Sequence, residues 1–320
     1  MNINNPKIWS ITDGSDGMIS QTRGLAFELS NDVTEIKTDI IFPWNKMQPG
    51  ILPVYSWIFK NNIPKSNIPD IVISCGRKSV YLSTYLKKKF NKLINIHIQN
   101  PKISSKKFTF IVAPNHDNFT GENVINSTGA LHHFKIEKEQ KNSSESNSKK
   151  IVSCIIGGQN NHYKFTRKEA LNFCKKIEEL KHKNSNLEFL IITSRRTSEE
   201  VKNLLNSKLN KVARLWLGKG ENPYKFALYN SKFFIITSDS TSMISEATVS
   251  GKPIYIYQLP SKRKIVRFNR FHDEFRKRNI TKDFLTMNDL EYWSYEKLDE
   301  SKRIAGIIKK RIIEGKNEFR

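Results

Sequence analysis

The sequence predicts an α/β protein made of two Rossmann-like, doubly wound domains facing a cleft. Three observations predict it. Short β-branched runs are each followed by a Gly or Ser turn and then by a helical pattern. That theme occurs in both halves of the 320 residues, and a polar stretch at 135–150 (KIEKEQKNSSESNSKK) separates the halves. Strands alternating with helices indicate parallel sheets covered on both faces. Such sheets take their ligands at the carboxyl ends of the strands.

In the first half, residues 7–12 form a strand that runs into Asp13-Gly14-Ser15-Asp16-Gly17. A helix is expected from about Ser20, with Leu25, Ala26 and Leu29 on one face. Residues 70–74 form a strand ending in Cys75-Gly76-Arg77, and an amphipathic helix follows through Lys89. Residues 93–98 and 109–113 are further strands, stopped by Pro101 and Pro114. The stretch 135–150 reads as a solvated linker.

In the second half, strand 151–156 leads through Gly157-Gly158-Gln159 to a helix over 166–182. Strand 188–193 ends in Ser194-Arg195-Arg196-Thr197 before a helix from about Ser198. Strand 233–237 ends in Ser238-Asp239-Ser240-Thr241-Ser242, with a helix over 243–250. Gly251 caps that helix, and residues 254–258 form the next strand.

Composition narrows the function classes. Hydrophobic residues at 38% and aromatics at 11% suffice for real cores, which excludes wholesale disorder. The longest apolar run, residues 51–59, falls far short of the ~20 residues of a membrane-spanning helix and contains Pro53. Residues 1–9 lack the apolar core of a secretory signal. Cys75, Cys154 and Cys174 are spaced for neither a disulfide framework nor zinc, and read as buried thiols of a reducing compartment. A soluble cytoplasmic protein is expected.

Its net charge of +23 requires an anionic neighbour. That charge is uneven: +6 lies in residues 1–134 and +15 in residues 151–320. Residues 261–282 alone carry nine basic and two acidic side chains, and residues 301–320 carry seven and two. In the first of these stretches Ile265, Phe268, Phe271 and Phe275 recur at helical spacing. This is a basic amphipathic pattern, suited either to an anionic membrane surface or to packing its Phe stripe on its own domain. No nucleic-acid module is recognisable, so nucleic acid is not expected as a partner.

Three loops of the second half have the residues that hold phosphate. Gly157 and Gly158 let backbone approach an anion, with Gln159 beside them. Ser240, Thr241 and Ser242 add hydroxyl donors at a helix start, and Ser194, Arg195 and Arg196 add guanidinium forks. Glu246, one helical turn further, would reach a ribose diol. Each feature also has a plain structural use: a tight turn, a helix N-cap, a capping box. Neither GxxxxGK[ST] nor GxGxxG is present, and no Asp-x-Asp pair suggests a metal-held diphosphate.

The block Thr237-Ser238-Asp239-Ser240-Thr241-Ser242-Met243-Ile244-Ser245-Glu246-Ala247 with Gly251-Lys252-Pro253 resembles the signature of the mitochondrial fission ELM family. These are GT-B-like glycosyltransferases. The resemblance extends to Asp13-Gly14 with Gln21, Ser74-Cys75-Gly76-Arg77, Gln99-Asn100-Pro101, Pro114-Asn115-His116-Asp117 and Thr128-Gly129-Ala130-Leu131. It continues through Gly157-Gly158, Ser194-Arg195-Arg196-Thr197 and Asn222-Pro223-Tyr224. More distantly, residues 240–253 are similar to the nucleotide-binding stretch of peptidoglycan N-acetylglucosaminyl transferases and UDP-sugar 2-epimerases. The epimerase form has glycines where this chain has Thr241 and Ser242.

What the resemblance implies is a metal-free transfer of sugar from a nucleotide-diphosphate donor, UDP type, to a cell-envelope acceptor. Residues 1–134 would hold the acceptor and residues 151–300 the nucleotide sugar, with the helix in 301–320 returning to the first domain. The nucleotide sugar is a substrate, and no cofactor or metal is expected. Transfer needs a base for the acceptor hydroxyl and a countercharge for the leaving diphosphate. His116, Asp117 and Asp16 are the candidate bases. Asp13, Gly14, Gln21 and Arg77 are candidates for acceptor or phosphate; Arg77 stands out because residues 1–134 contain only one other arginine, Arg23. The expected partners are an anionic membrane surface at 261–282 and a lipid-linked or lipopolysaccharide-type acceptor, which places the protein at the inner membrane's periphery. A nucleoside-diphosphate-sugar epimerase and a non-catalytic membrane adaptor are the other two readings.

Overall fold

The computed structural model describes residues 5–61, 63–64, 67–135 and 150–317. The chain divides into two compact units, Met1–Phe134 with Asp299–Arg320, and Lys135–Leu298. Residues 136–149 of the expected linker lie outside the described residues.

Unit 1 contains a six-stranded sheet of β1 (Ile8–Thr12), β2 (Val33–Lys37), β3 (Ile71–Cys75), β4 (Ile94–Ile98), β5 (Phe110–Pro114) and β6 (Val124–Ser127). Its order is β2-β1-β3-β4-β5-β6 and every pairing is parallel. β1, β3 and β5 are buried at all five positions, as strands covered on both faces must be. At the edge, β2 (Val-Thr-Glu-Ile-Lys) is exposed at Thr34, Glu35 and Lys37, a pattern too weak to announce a strand. Helix α1 (Asp16–Leu29) begins four residues earlier than the sequence predicts, directly after the Asp13 turn. Helix α2 (Arg77–Lys89) follows β3 as expected.

Unit 2 repeats the plan with β7 (Lys150–Ile156), β8 (Leu187–Thr193), β9 (Ala213–Trp216), β10 (Phe233–Thr237), β11 (Ile254–Tyr257) and β12 (Thr281–Asp283). The order is β12-β11-β10-β7-β8-β9, again all parallel. Helix α3 (Arg167–Lys183) starts on a capping box formed by Thr166 and Glu169. In α4 (Glu199–Leu209), the Val201 N–H donates to the Ser198 hydroxyl at 3.3 Å. Helix α5 (Tyr224–Asn230) and strands β9 and β12 were not anticipated. Helix α6 (Thr241–Ala247) starts two residues before the expected position because Ser240 is its N-cap, and a short turn over Thr248–Ser250 carries it to Gly251. Gly251 has φ +65°, the left-handed C-cap the sequence suggests.

Helix α7 (Val266–Lys277) occupies the middle of the basic segment. Phe271 and Phe275 are fully buried, Ile265 is buried, and Phe268 packs on the core of unit 2. Of the two uses of this pattern, the Phe stripe takes the internal one, so it offers no apolar face to a membrane. The basic side chains Lys262, Arg263, Lys264, Arg267, Arg270, Arg276 and Lys277 remain exposed.

The last helix, α8 (Glu300–Asn317), belongs to unit 1 and packs along α1. Ile304, Ala305, Ile308 and Ile312 join Leu25, Ala26 and Leu29 in one core cluster, each buried isoleucine contributing roughly 1.5–3 kcal/mol. Buried Glu300 accepts the Thr128 N–H at 2.7 Å and is held by Arg303, whose guanidinium also reaches the Asn126 carbonyl at 2.7 Å. A Cβ at Gly24 of α1 would lie 2.4 Å from the His132 carbonyl oxygen and 2.7 Å from Ser301 Oγ, so only glycine allows this packing.

Candidate functional site

In unit 2 the chain enters the sheet at β7, builds β8 and β9 on one side, then β10, β11 and β12 on the other. The topological switch point therefore lies between β7 and β10, where the strand ends open the crevice such folds use for ligands. The loops after β7, β8 and β10 are neighbours there, and they are the three the sequence singles out.

One residue the sequence reading passed over ties these loops together. Asp239 has a fully buried side chain and accepts hydrogen bonds from the Gly158 N–H at 3.1 Å, the Thr237 hydroxyl at 2.6 Å and Arg196 Nη2 at 2.6 Å. A buried carboxylate is tolerated only when paired and hydrogen-bonded in this way. Thr237 Oγ1 also accepts the Gly157 N–H at 2.8 Å. Ser194 Oγ donates to the Gly157 carbonyl at 2.7 Å, and Thr197 Oγ1 donates to the same oxygen. Asn160 Nδ2 donates to the Asp239 carbonyl at 3.3 Å.

This network corrects the expected role of the glycines. Their N–H groups are directed at Thr237 and Asp239 and are not presented to an anion. They are glycines because a Cβ at Gly157 would sit 2.2 Å from both Asp239 carboxylate oxygens, and one at Gly158 would sit 2.2 Å from the Arg196 carbonyl oxygen. Arg196 is tied to Asp239, though its guanidinium stays partly exposed. Arg195 and Gln159 lie at the surface.

The start of α6 keeps its expected place. Ser240 Oγ accepts the Met243 N–H at 3.4 Å, and Thr241 and Ser242 are half-exposed in the first turn. Glu246, one turn on, is buried and accepts the Tyr224 hydroxyl proton. Burial, and then the Glu246 charge, push the Tyr224 phenol well above its ordinary range, so it stays a donor. Tyr224 opens α5, where its N–H donates to Asn222 Oδ1 at 3.0 Å. The block Asn222-Pro223-Tyr224 thus supplies the partner that orients Glu246, a role that no local pattern in the sequence assigns.

A second support comes from α7. His272 Nε2 donates to the Ser238 carbonyl at 3.0 Å, the tautomer a carbonyl partner requires. Burial lowers the His272 pKa to about 4, so the ring is neutral. Ser238 Oγ accepts the Leu259 N–H at 3.0 Å, fixing the same loop from β11.

Unit 1 has its switch point between β1 and β3, at Asp13 to Ser15 and Gly76. Asp13 Oδ1 accepts the Ser15 N–H at 3.0 Å, the Gly14 N–H donates to Thr12 Oγ1 at 3.1 Å, and Gly14 has φ +92°. Asp16 is exposed in the first turn of α1, where a negative charge suits the helix dipole. Gln21 is buried: its amide donates to the Gly17 carbonyl at 3.0 Å and accepts from Gln99 Nε2 at 3.4 Å.

Two unit 1 candidates change meaning. Arg77 Nη1 donates to the Trp44 and Met47 carbonyls and Nη2 to the Asn45 carbonyl, so its guanidinium holds a chain segment in place of an anion. The His116 side chain is sealed in the turn after β5, with Nε2 3.8 Å from Asp117 Oδ1, and Asp117 is nearly as covered. A base must meet the acceptor hydroxyl. Of the three candidates, Asp16 is the exposed one.

Among the described residues no group of His, Cys, Asp and Glu is placed to hold a metal ion. No helix among them is long and apolar enough to cross a membrane. Cys75, Cys154 and Cys174 are free and buried, and burial raises all three thiols.

The chain is 30% identical to Uncharacterized protein RP120 of Rickettsia prowazekii (strain Madrid E), over 94% of this chain and 97% of that one. It is 24% identical to Mitochondrial fission protein ELM1 of Arabidopsis thaliana over 76% of this chain, which spans 64% of the plant protein. Among solved structures, UDP-GlcNAc 2-epimerase of Neisseria meningitidis bound to UDP-GlcNAc matches with TM-score 0.51 and 15% identity, covering 96% of this chain and all of that one. The glycotransferase of kitacinnamycin matches with TM-score 0.52 and 10% identity, covering 89% and 87%. At these identities the structures establish the fold, which is two-domain and GT-B-like. A family model matches residues 16–312, and the chain belongs to the mitochondrial fission ELM1 family.

Proposed function

We propose that the protein is a glycosyltransferase that binds a nucleotide-diphosphate sugar, UDP type, in unit 2 and transfers the sugar to a cell-envelope acceptor held by unit 1. The observation that carries the reading is Glu246, buried one turn into α6 and oriented by Tyr224, behind the half-exposed hydroxyls of Thr241 and Ser242. A carboxylate fixed in this way is suited to accept both hydroxyls of a ribose. Ser240, Thr241, Ser242, Arg195 and the exposed edge of Arg196 would meet the diphosphate, with Gln159 at the rim.

In the reaction, the acceptor oxygen forms a bond to the anomeric carbon as the bond to the diphosphate breaks. The acceptor proton passes to a base in unit 1, for which Asp16 is favoured by its exposure. The charge on the departing diphosphate is met by arginine and hydroxyls, so the scheme requires no metal. A lipid-linked or lipopolysaccharide-type acceptor would place the enzyme at the cytoplasmic face of the inner membrane. The exposed arginines and lysines of 261–282 would add long-range attraction to anionic headgroups.

Calorimetry with UDP, GDP, CDP and ADP tests the donor site: the wild type is expected to bind UDP or UDP-sugar, and a chain that binds none of the four has no such site. The epimerase reading is favoured by the UDP-GlcNAc 2-epimerase among the structures of this fold. Incubation with a single nucleotide sugar separates the two, because an epimerase changes it without an acceptor. The adaptor reading would be supported by membrane binding with no turnover under either condition.

A further inference from the structure

Between β2 and β3, residues 40–61 leave the sheet as a single excursion held at several points. Ile40 bridges to Phe59, and the Ile41 N–H donates to the Ile58 carbonyl at 2.9 Å. Ile40, Trp44, Ile58 and Phe59 are buried in the unit 1 core. Trp44 Nε1 donates to the Pro53 carbonyl at 2.9 Å, and Tyr81 donates to the Met47 carbonyl at 3.1 Å. The Arg77 guanidinium gathers the carbonyls of residues 44, 45 and 47.

This well-held segment nevertheless presents four large apolar groups to solvent. Phe42 is 74% exposed, Ile51 60%, Tyr55 48% and Trp57 60%. Tyr55 stacks on Trp57 at 5.7 Å, and Trp57 sits edge-on to Trp44 at 5.1 Å. The Ile41–Ile58 hydrogen bond brings the backbone of Phe42 beside that of Trp57. Other exposed large apolar groups among the described residues include Phe27, Leu171, Phe226 and Leu285. A clustered aromatic patch on a fixed scaffold marks an interaction surface.

The charge around the patch selects its partner. Residues 40–61 carry Lys46 and Lys60; the one carboxylate at their edge, Asp39, is shared by Lys60 at 3.3 Å and Lys78 at 3.1 Å, which leaves the group net positive. At the far end, Gly50 lies against Ile103, which is flanked by the exposed lysines 102, 106 and 107, with no carboxylate over 101–108. Lysine is depleted at the cores of protein–protein interfaces. Tyr and Trp amphipathic rings set in a lysine field match the headgroup level of an anionic bilayer, where rings insert and ammonium groups meet phosphate.

We infer that the 40–61 excursion of unit 1 is a membrane-docking surface that inserts Phe42, Ile51 and Trp57 into the headgroup region of an anionic bilayer. It is separate in sequence from α7, whose Phe stripe is buried. The inference deepens the membrane part of the proposed function and does not depend on the donor site.

The test is vesicle binding by the full chain and by the triple variant Phe42→Ser, Ile51→Ser, Trp57→Ser, which leaves Arg77, Tyr81 and the buried anchors in place. Vesicles mixing phosphatidylethanolamine with phosphatidylglycerol are expected to bind the wild type. The variant's partition coefficient should fall at least about tenfold, since three bulky apolar groups leave the interface. Brominated acyl chains should quench wild-type tryptophan fluorescence and spare the variant. Three results would each overturn the inference: a wild type that ignores vesicles, a variant that binds as well as the wild type, or a wild-type oligomer that the triple substitution converts to monomer. Nucleotide affinity measured on both proteins should be equal; its absence from both would fail the donor-site reading and leave the docking result standing.

Discussion

The two units have the same six parallel strands but manage the polar groups at their carboxyl edges differently. In unit 2 a single buried acid, Asp239, connects loops from three strands, so none can move without the others. In unit 1 the links are more local: Asp13 closes on Ser15 and the Asn115–Asp117 turn on the Asn118 N–H, while Gln21 reaches Gln99 and Arg77 gathers the carbonyls of residues 44, 45 and 47. A shared network preorganises a site for a rigid ligand such as a nucleotide. Loops held by such separate contacts can change one at a time with less effect on their neighbours.

The contrast can be broken most sharply at Asp239. Asp239→Ala leaves the Gly158 N–H, the Thr237 hydroxyl and Arg196 without their acceptor. It should cost roughly 3–5 kcal/mol in urea unfolding and abolish nucleotide binding; a loss under ~1 kcal/mol would mean the loops do not depend on it. No single unit 1 loop residue should match that figure.

Acid, unlike the Asp239→Ala substitution, acts on both units, and over the full pH range its effect is at least of the same order. His97 in β4 is buried against Phe108 and bonded to Ser74, with its pKa lowered to about 3, while His272 sits at about 4, both through burial. Their unfolded values lie near 6.5, so below that pH the unfolded chain binds protons the folded chain refuses. Stability contributed by the neutral rings is therefore full above pH 6.5 and falls as pH drops. The slope is up to about 1.4 kcal/mol per pH unit per histidine, ending near each folded pKa. Denaturant midpoints over this range check it, and His272→Gln should flatten only the share that arises in unit 2.

Gly24→Ala probes unit 1 alone. Its methyl group meets the His132 carbonyl oxygen and Ser301, so a loss of about 1–3 kcal/mol is expected in the same assay, with nucleotide affinity unchanged. The smallest effect should come from Tyr224→Phe, which leaves the fold intact and weakens nucleotide binding by about threefold to tenfold through a misoriented Glu246. Equal affinity would remove the ribose assignment.

The difference between the units also explains what the sequence made legible. Strands buried on both faces, such as β1, β3, β8 and β10, are runs dominated by Ile, Val, Leu and Phe, broken by single polar residues such as Ser10 and Glu188, and can be read directly. Those that escaped, β2, β6, β9 and β12, are three to five residues long and include all four sheet edges, where one side has no partner strand. In the candidate site, Ser240 and Glu246 follow from local chemistry, because a cap and an acid one turn beyond it belong to one helix. Asp239 could not be read that way. Whether an aspartate in a Ser-Asp-Ser run turns inward depends on Gly158 and Arg196, which lie far away in the chain. Arg77 shows the converse: its rarity signalled a multidentate role, but only the fold shows that its acceptors are carbonyls of the excursion after β2.

The position of α8 has a consequence for how the protein is made. Its isoleucines complete the unit 1 core, yet residues 299–317 are translated after the whole of unit 2. The ribosome therefore delivers the first 134 residues with the α1 face of their core uncovered. At about 5–20 residues per second, that face waits on the order of ten seconds or more while unit 2 is synthesised and can fold. During that interval Leu25, Ala26 and Leu29 form a sticky nascent surface, so the first unit to emerge is the last to mature.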